Sequence, residues 1–329
     1  MKKILNKIEN AVDEMCKGIV GSNPNLVLDE RYRIVMRKTI DKDKVALISG
    51  GGSGHEPAHA GYVGEGMLTA AICGDVFASP STMQIYKAIE QTQTHRGTLL
   101  IIKNYSGDCM NFDSAAEMAE EDDILVDKVY VNDDIAVEDS LYTVGRRGVA
   151  GTVLVHKIAG AAAAEGRSLE EVKRIALKTI DSVKSIGVAL TSCTVPAKGS
   201  PTFTLSENDI EYGVGIHGEP GIERRKLETS MNLAKDMVQR LLPESGLHKG
   251  ESCAIMVNGL GATPLMELYI QYNDVAAVLK EEGIEIYKAF VGDYMTSLDM
   301  SGFSLTLLRL DDELKTFLDA PSNTVGMKI

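Results

Sequence analysis

Short apolar runs that end in glycine or in a polar loop recur along this chain. Val45 to Ser49 (VALIS) runs into SGGGSGHEP, and Thr98 to Lys103 (TLLIIK) runs into NYSGD. Leu125 to Asn132 (LVDKVYVN) gives a third run. Runs of this length bounded by turn residues predict buried strands, with apolar residues on both faces. Between them, Ser81 to Gln93 and Asn111 to Glu121 have the composition and length of helices. Strands alternating with helices predict an α/β unit with a largely parallel sheet, whose ligands bind beyond the carboxyl ends of the strands. The GGGSGHEP and KNYSGD loops both fall there.

The alanine-rich stretch Gly148 to Gly166 predicts a closely packed helix. Ser168, with Glu171 three residues on, predicts a capping box for a helix running to about Ser185. The second half then repeats the grammar of the first. Ile186 to Thr191 and Cys253 to Val257 predict strands, Asn258 to Ala262 (NGLGA) a glycine loop, and Thr263 with Pro264 the N-cap and first turn of a helix ending near Gly283. Ile284 to Phe290 and Ser304 to Leu308 add strands. The expected architecture is α/β, as two α/β domains, 1–184 and 185–329, with mostly parallel or mixed central sheets flanked by helices. At 329 residues the chain exceeds the roughly 250 to 300 at which one core stops growing.

Asp209 to Ile222 (DIEYGVGIHGEPGI) has a different rhythm. Ile210, Tyr212, Val214 and Ile216 alternate with Glu211, Gly213, Gly215 and His217, which predicts a half-buried strand. Its second face carries an imidazole beside two positions without side chains, leaving room for a small ligand. At the N-terminus, Ile4, Ile8, Val12 and Met15 predict an amphipathic helix, and Glu9, Asp13 and Glu14 interrupt what would otherwise be the apolar core of a signal peptide.

Composition narrows the function. Apolar content of 44% and charged content of 25% fit a globular chain, and a net charge of −13 disfavours a nucleic-acid or anionic-membrane surface. The five cysteines are scattered without a CxxC pair, which indicates neither a disulfide framework nor a zinc site and fits a reducing cytoplasm. No apolar run approaches the roughly 20 residues that span a bilayer.

Three stretches carry candidate chemistry. GGGSGHEP lacks the Lys-Ser/Thr of a P-loop and the GxGxxG spacing, so it is either a loop whose backbone approaches a ligand, with His55 just beyond, or a tight turn with a helix-capping histidine. KNYSGD places Lys103 and Asp108 on one loop, as a lysine-tuned acceptor or base, or as a solvated ion pair. Histidine side chains in general offer a neutral imidazole nitrogen near physiological pH, so His217 is a candidate nucleophile, against the plainer reading of a strand-end histidine bonded to backbone. His59 reads as a supporting or structural residue, and His95, His156 and His248 as structural. Asn132 to Asp134, Glu138 and Asp139 are explained by helix capping and surface acidity, so no metal site is expected. Arg146 and Arg147 (GRRG) are open to an anion or a partner.

Taken together, GGGSGHEP, LLIIKNYSGD, SLYTVGRRGVA, CTVPAKGSPTF, YGVGIHGEPGI, NGLGATPLMELY and SLDMSGFSLTLL resemble the dihydroxyacetone kinase substrate-binding subunit family over nearly the whole chain. The resemblance implies that His217 binds the ketone of dihydroxyacetone covalently as a hemiaminal. It implies that His55 and Asp108 assist that addition and hold or activate the hydroxyl that receives phosphate. It further implies that the backbone of Gly52, Ser53 and Gly54 and the side chain of Lys103 complete the substrate contacts. With no nucleotide motif in the chain and no further domain expected after it, the implied form is phosphoenolpyruvate-dependent. In that form ADP and Mg sit on a separate L subunit, which a phosphocarrier M subunit recharges. A cytoplasmic homodimer is implied as well. Two other readings are a dihydroxyacetone-sensing co-activator of a transcription regulator and a stand-alone ATP kinase.

Overall fold

The structure, a computed structural model, describes residues 2–138 and 144–329. Asp139 and the first residues of the SLYTVGRRGVA stretch, 140–143, lie outside the described residues. One sheet holds β1 (Leu26–Asp29), β2 (Ile34–Arg37), β3 (Ala46–Ser53), β4 (Ala70–Val76), β5 (Thr98–Lys103) and β6 (Val126–Val131), in the order β1-β2-β4-β3-β5-β6. Its β4, β3, β5 and β6 are parallel, and β1 and β2 add an antiparallel edge. A second sheet holds β7 (Val183–Ala189), β8 (Asp209–Tyr212), β9 (Glu223–Lys226), β10 (Ser252–Gly259), β11 (Glu285–Gly292) and β12 (Gly302–Leu310), in the order β11-β10-β12-β7-β8-β9. Here only β10 and β11 are parallel. The α/β expectation with parallel or mixed sheets therefore holds.

The apolar runs are continuous because each central strand feeds two cores. Along β5, Leu99 and Ile101 point into a middle layer, while Leu100 and Ile102 point outward against α2 (Thr82–Thr92) and α3 (Ser106–Glu121). In β10, Ala254 and Met256 face the same middle layer, while Ile255 and Val257 face α6 (Ser230–Ser245) and α7 (Leu265–Glu281). The middle layer is α4 (Thr152–Glu165), α5 (Leu169–Ser182) and α8 (Asp312–Asp319), so both sheets share one core. Strand alternation thus builds five layers: helix, sheet, helix, sheet, helix.

α4 carries no solvent-facing stripe along most of its length because it lies in the middle layer. Every residue from Thr152 to Ala163 is buried. The helix also runs against backbone: a Cβ on Gly160 would lie 2.4 Å from the Gly66 carbonyl oxygen and 2.5 Å from Met67 Cα. Glycine to alanine inside a helix ordinarily stabilises by up to about 1 kcal/mol. Gly160→Ala is expected to do the reverse, by about 1 to 3 kcal/mol of overpacking, read as a lowered thermal midpoint.

Four local expectations are corrected. α3 begins at Ser106 rather than near Asn111, so Asp108 stands in a helix first turn and not on a loop. A carboxylate is favoured there by the helix dipole. β8 stops at Tyr212 because Gly213 takes φ +80. Thr263 does not cap α7; its hydroxyl donates to the Gly302 carbonyl and accepts from the Gly302 amide, and Pro264 stands at the N-cap. The N-terminal helix α1 (Ala11–Gly21) buries Val12 and Cys16, while Ile4 and Ile8 are exposed. Among the described residues no helix is long and apolar enough to cross a membrane.

Candidate functional site

β3 and β5 deliver the first half of the site from their carboxyl ends. β3 is paired on both sides and ends in Gly50-Gly51-Gly52-Ser53, all buried. Lys103 closes β5 with its side chain fully buried, and its ammonium donates to Asp108 Oδ2 at 3.1 Å. The other oxygen, Asp108 Oδ1, accepts from the Ser79 hydroxyl. A Cβ at position 51 would lie 2.7 Å from Lys103 Nζ and would push the ammonium from its place beside Asp108. At Gly52 a Cβ would meet the Ala78 amide nitrogen at 2.6 Å. Ser53 spends its hydroxyl on the Gly74 carbonyl, 2.7 Å away. Gly54, at φ +105, donates its amide to both oxygens of Glu56.

His55 follows, buried completely. Its Nδ1 lies 2.8 Å from the Thr296 carbonyl oxygen, which can only accept, so the ring proton is on Nδ1. Nε2 has no protein partner and keeps its lone pair. Burial above all, then the nearness of His217 and Lys103, holds this imidazole well below its ordinary pKa, in the neutral form.

The second half contributes His217 from the turn after β8. Its Nδ1 lies 2.8 Å from Glu219 Oε1, and its backbone amide donates to Glu219 Oε2 at 2.9 Å. Burial pushes the Glu219 carboxyl up, but His217 and then Arg147 outweigh it and hold the group at about 2. The rings of Tyr105, His55 and Phe77 surround the imidazole at 4.7, 4.8 and 5.2 Å between centroids. The glycines before His217 do not open space for a ligand, as the strand reading supposed. A Cβ at Gly215 would lie 2.1 Å from Glu219 Oε2 and 2.7 Å from Arg147 Nη1, so that space already holds two charged side chains.

The two halves meet at a cavity of about 650 Å³ lined by Gly52, Phe77, Asp108, Phe203, His217 and Glu219 among others. Of the residues singled out in the sequence, His217, Asp108 and Gly52 line this cavity. His55 packs against the ring of His217, and Lys103 is buried in contact with Asp108. His59 and His156 pair with each other, Nδ1 to Nε2 at 3.0 Å, in the buried layer and outside the cavity wall. His95 and His248 are exposed. Asp133 and Asp134 are not surface acids. Asp133 accepts from the Val149 and Gly151 amides and the Ser185 hydroxyl, and Asp134 pairs with the buried Arg147 at 2.7 Å. Burial raises Asp134 to about 6 despite that cation. Among the described residues no cluster of three or more His, Cys, Asp or Glu could hold a metal ion.

Glu219, Ser79, Tyr105 and Phe77 were not singled out in the sequence. Glu219 had a local signal, a carboxylate two residues after the candidate nucleophile in HGEP; the other three reach the site only through the fold. The assembled site offers an imidazole with its proton on Nδ1, a second imidazole with a bare Nε2, and a carboxylate fixed by an ammonium and a hydroxyl. That set suits addition to a small electrophile whose hydroxyls need acceptors.

The Dak1 domain family model matches residues 17–326. A protein of Listeria innocua named PTS-dependent dihydroxyacetone kinase 1, dihydroxyacetone-binding subunit DhaK, is 56% identical over 314 residues, 95% of each chain. The solved structure of the dihydroxyacetone kinase operon co-activator Dha-DhaQ superposes with a TM-score of 0.91 at 40% identity, covering 95% of this chain and 97% of that one. The native dihydroxyacetone kinase of C. freundii superposes with a TM-score of 0.90 at 38% identity, covering 99% of this chain but 60% of that one.

Proposed function

We propose, from the premise that the chain belongs to the Dak1 domain family, that it is the dihydroxyacetone-binding subunit of a dihydroxyacetone kinase dependent on the phosphoenolpyruvate phosphotransferase system. The observation that carries this reading is the pairing, across one cavity, of an imidazole with a free Nε2 (His217) and a carboxylate tied to a buried ammonium (Asp108 and Lys103).

His217 Nε2 adds to the ketone carbon of dihydroxyacetone, giving a hemiaminal. The backbone of Gly52, Ser53 and Gly54 lies along the bound ketone, with Lys103 behind Asp108. His55 Nε2 and Asp108 accept hydrogen bonds from the substrate hydroxyls, and Asp108 draws the proton from the one that is phosphorylated. Only a carbonyl compound is captured, so glycerol, with hydroxyls but no electrophile, is rejected. The covalent bond supplies what so small a ligand lacks in contact area, given a ceiling of about 1.5 kcal/mol per heavy atom. Held so, the hydroxyl is positioned for phosphoryl transfer, a reaction governed by placement and charge.

The phosphoryl donor, ADP with Mg, belongs to a separate L subunit, recharged by a phosphocarrier M subunit. Neither is provided for among the motifs of this chain. The working form is a cytoplasmic homodimer. A second reading, a dihydroxyacetone-sensing co-activator, is favoured by the 40% identical co-activator structure. The kinase reading has the stronger support, since the Listeria subunit is 56% identical over a comparable span.

Turnover separates the two. Purified chain is expected to form dihydroxyacetone phosphate with a cognate L subunit and a phosphoenolpyruvate-driven donor, and none with ATP alone. Product with ATP alone would mean a stand-alone kinase. No product under either condition, with ketone still captured, would favour the co-activator.

A further inference from the structure

We infer that Glu219 is the positioning residue that makes His217 a nucleophile, by fixing the imidazole proton on Nδ1 and facing the cation that forms when Nε2 is alkylated. The inference rests on the covalent binding proposed above. Glu219 is not among the substrate contacts that the resemblance implies, yet both of its oxygens meet His217.

Two bonds tie it there. Oε1 lies 2.8 Å from His217 Nδ1, and Oε2 accepts the His217 backbone amide at 2.9 Å. One carboxylate therefore sets both the main chain and the ring. An ionised carboxylate has no proton to give, so Nδ1 must be the donor, and the neutral ring then carries its lone pair on Nε2. The carboxylate is only 4% exposed, so water does not compete for it.

A buried carboxylate needs its own support. Arg147 contributes it by charge rather than by a direct bond: its nearness lowers the Glu219 carboxyl, while the fully buried guanidinium is itself bonded to Asp134 at 2.7 and 2.8 Å and to the Gly213 carbonyl at 2.9 Å. Gly215 is the gap through which the two approach, and any side chain there would strike both. The charges of Asp134, Arg147 and Glu219 thus follow one another through the protein interior and end at the His217 ring.

The chemistry balances without a further reagent. The Nε2 lone pair forms the N–C bond, the carbonyl π pair moves to oxygen, and that oxygen takes up one proton from the solution, so the adduct carries one proton and one positive charge more than the free ring and ketone. The ring keeps its Nδ1 proton and becomes an imidazolium, whose positive charge lies against the Glu219 carboxylate. Glu219 never touches the ketone.

The test is the tautomer itself. In ¹⁵N-labelled protein without ketone, the His217 ring should show a protonated Nδ1 and a bare Nε2. In Glu219→Gln the amide presents either its oxygen or its nitrogen to the ring, so the Nε2-protonated form should appear. Capture of dihydroxyacetone, followed by native mass spectrometry, should fall about 10- to 100-fold, the range for loss of a partner that orients a histidine ligand. Glu219→Asp, which keeps the charge on a shorter arm, should restore the Nδ1 proton and part of the capture. Wild-type protein with its proton on Nε2, or a folded Glu219→Gln that captures ketone as wild type does, would overturn the inference. If Glu219→Gln fails to fold, the wild-type spectrum and Glu219→Asp still decide it. If wild-type protein captures no ketone, the functional reading fails, and the tautomer comparison still reports what Glu219 does.

Discussion

His217→Ala is expected to abolish ketone capture and to lower phosphorylation by about 10³-fold or more, the scale on which removing a nucleophile acts. The size follows from how little else holds the substrate. The cavity is far larger than a three-carbon ketone, and the Asp108 carboxylate on its wall is already bonded to Lys103 and Ser79. Without the N–C bond, a few hydrogen bonds to His55 and Asp108 remain, each worth about 0.5 to 1.5 kcal/mol net. Alanine also strips Glu219 of one of its partners inside the protein, so some loss of stability should accompany it. His217→Asn separates the two effects. Its side-chain amide can still donate to Glu219 but has no nucleophilic nitrogen, so it should fold as wild type does and remain inert. Capture by either variant would remove His217 from the nucleophile's place.

Asp108→Asn is expected to leave capture largely intact and to cut phosphoryl transfer by about 10²- to 10⁴-fold, the range for loss of a positioned base. In the proposed role Asp108 serves the hydroxyl that loses its proton and takes no part in the N–C bond. The same change leaves the Lys103 ammonium buried beside a neutral amide, which costs about 3 to 5 kcal/mol when a buried pair is broken. The stability loss and the rate loss are separable: adding Lys103→Met removes the unpaired charge and should recover the thermal midpoint without recovering turnover. Equal losses of capture and transfer in Asp108→Asn would mean that the carboxylate serves binding alone.

Much of this arrangement was legible along the chain, and the reasons are particular. VALIS and TLLIIK read as strands because both faces of β3 and β5 are buried, which makes the apolar run continuous. His55, Asp108 and His217 stood out because each follows a strand or a glycine-rich stretch where ligands collect. The short strands β1, β2 and β9 carried no such signal, since each is only four residues long and few of those residues are buried. The strand through His217 was overextended for a physical reason: Gly213 and Gly215 preserve the alternation on paper, while φ +80 at Gly213 turns the backbone out of the sheet. Asp133 and Asp134 passed for surface acids because their partners, the Gly151 amide, Ser185 and Arg147, come from elements 13 to 52 residues away. Glu219 carried only its nearness to the nucleophile as a signal, and that was not enough, because its meaning depends on which ring nitrogen it meets.

Capture of the ketone as a hemiaminal on His217 is the central claim, and the carbon that changes hybridisation reports on it directly. Dihydroxyacetone labelled with ¹³C at C2, mixed with ¹⁵N-histidine-labelled protein, should lose its carbonyl resonance and gain an sp³ resonance coupled to one imidazole nitrogen, absent in His217→Asn. A bound ketone that keeps its carbonyl shift, or an sp³ carbon with no nitrogen coupling, as in a simple hydrate, would contradict the account.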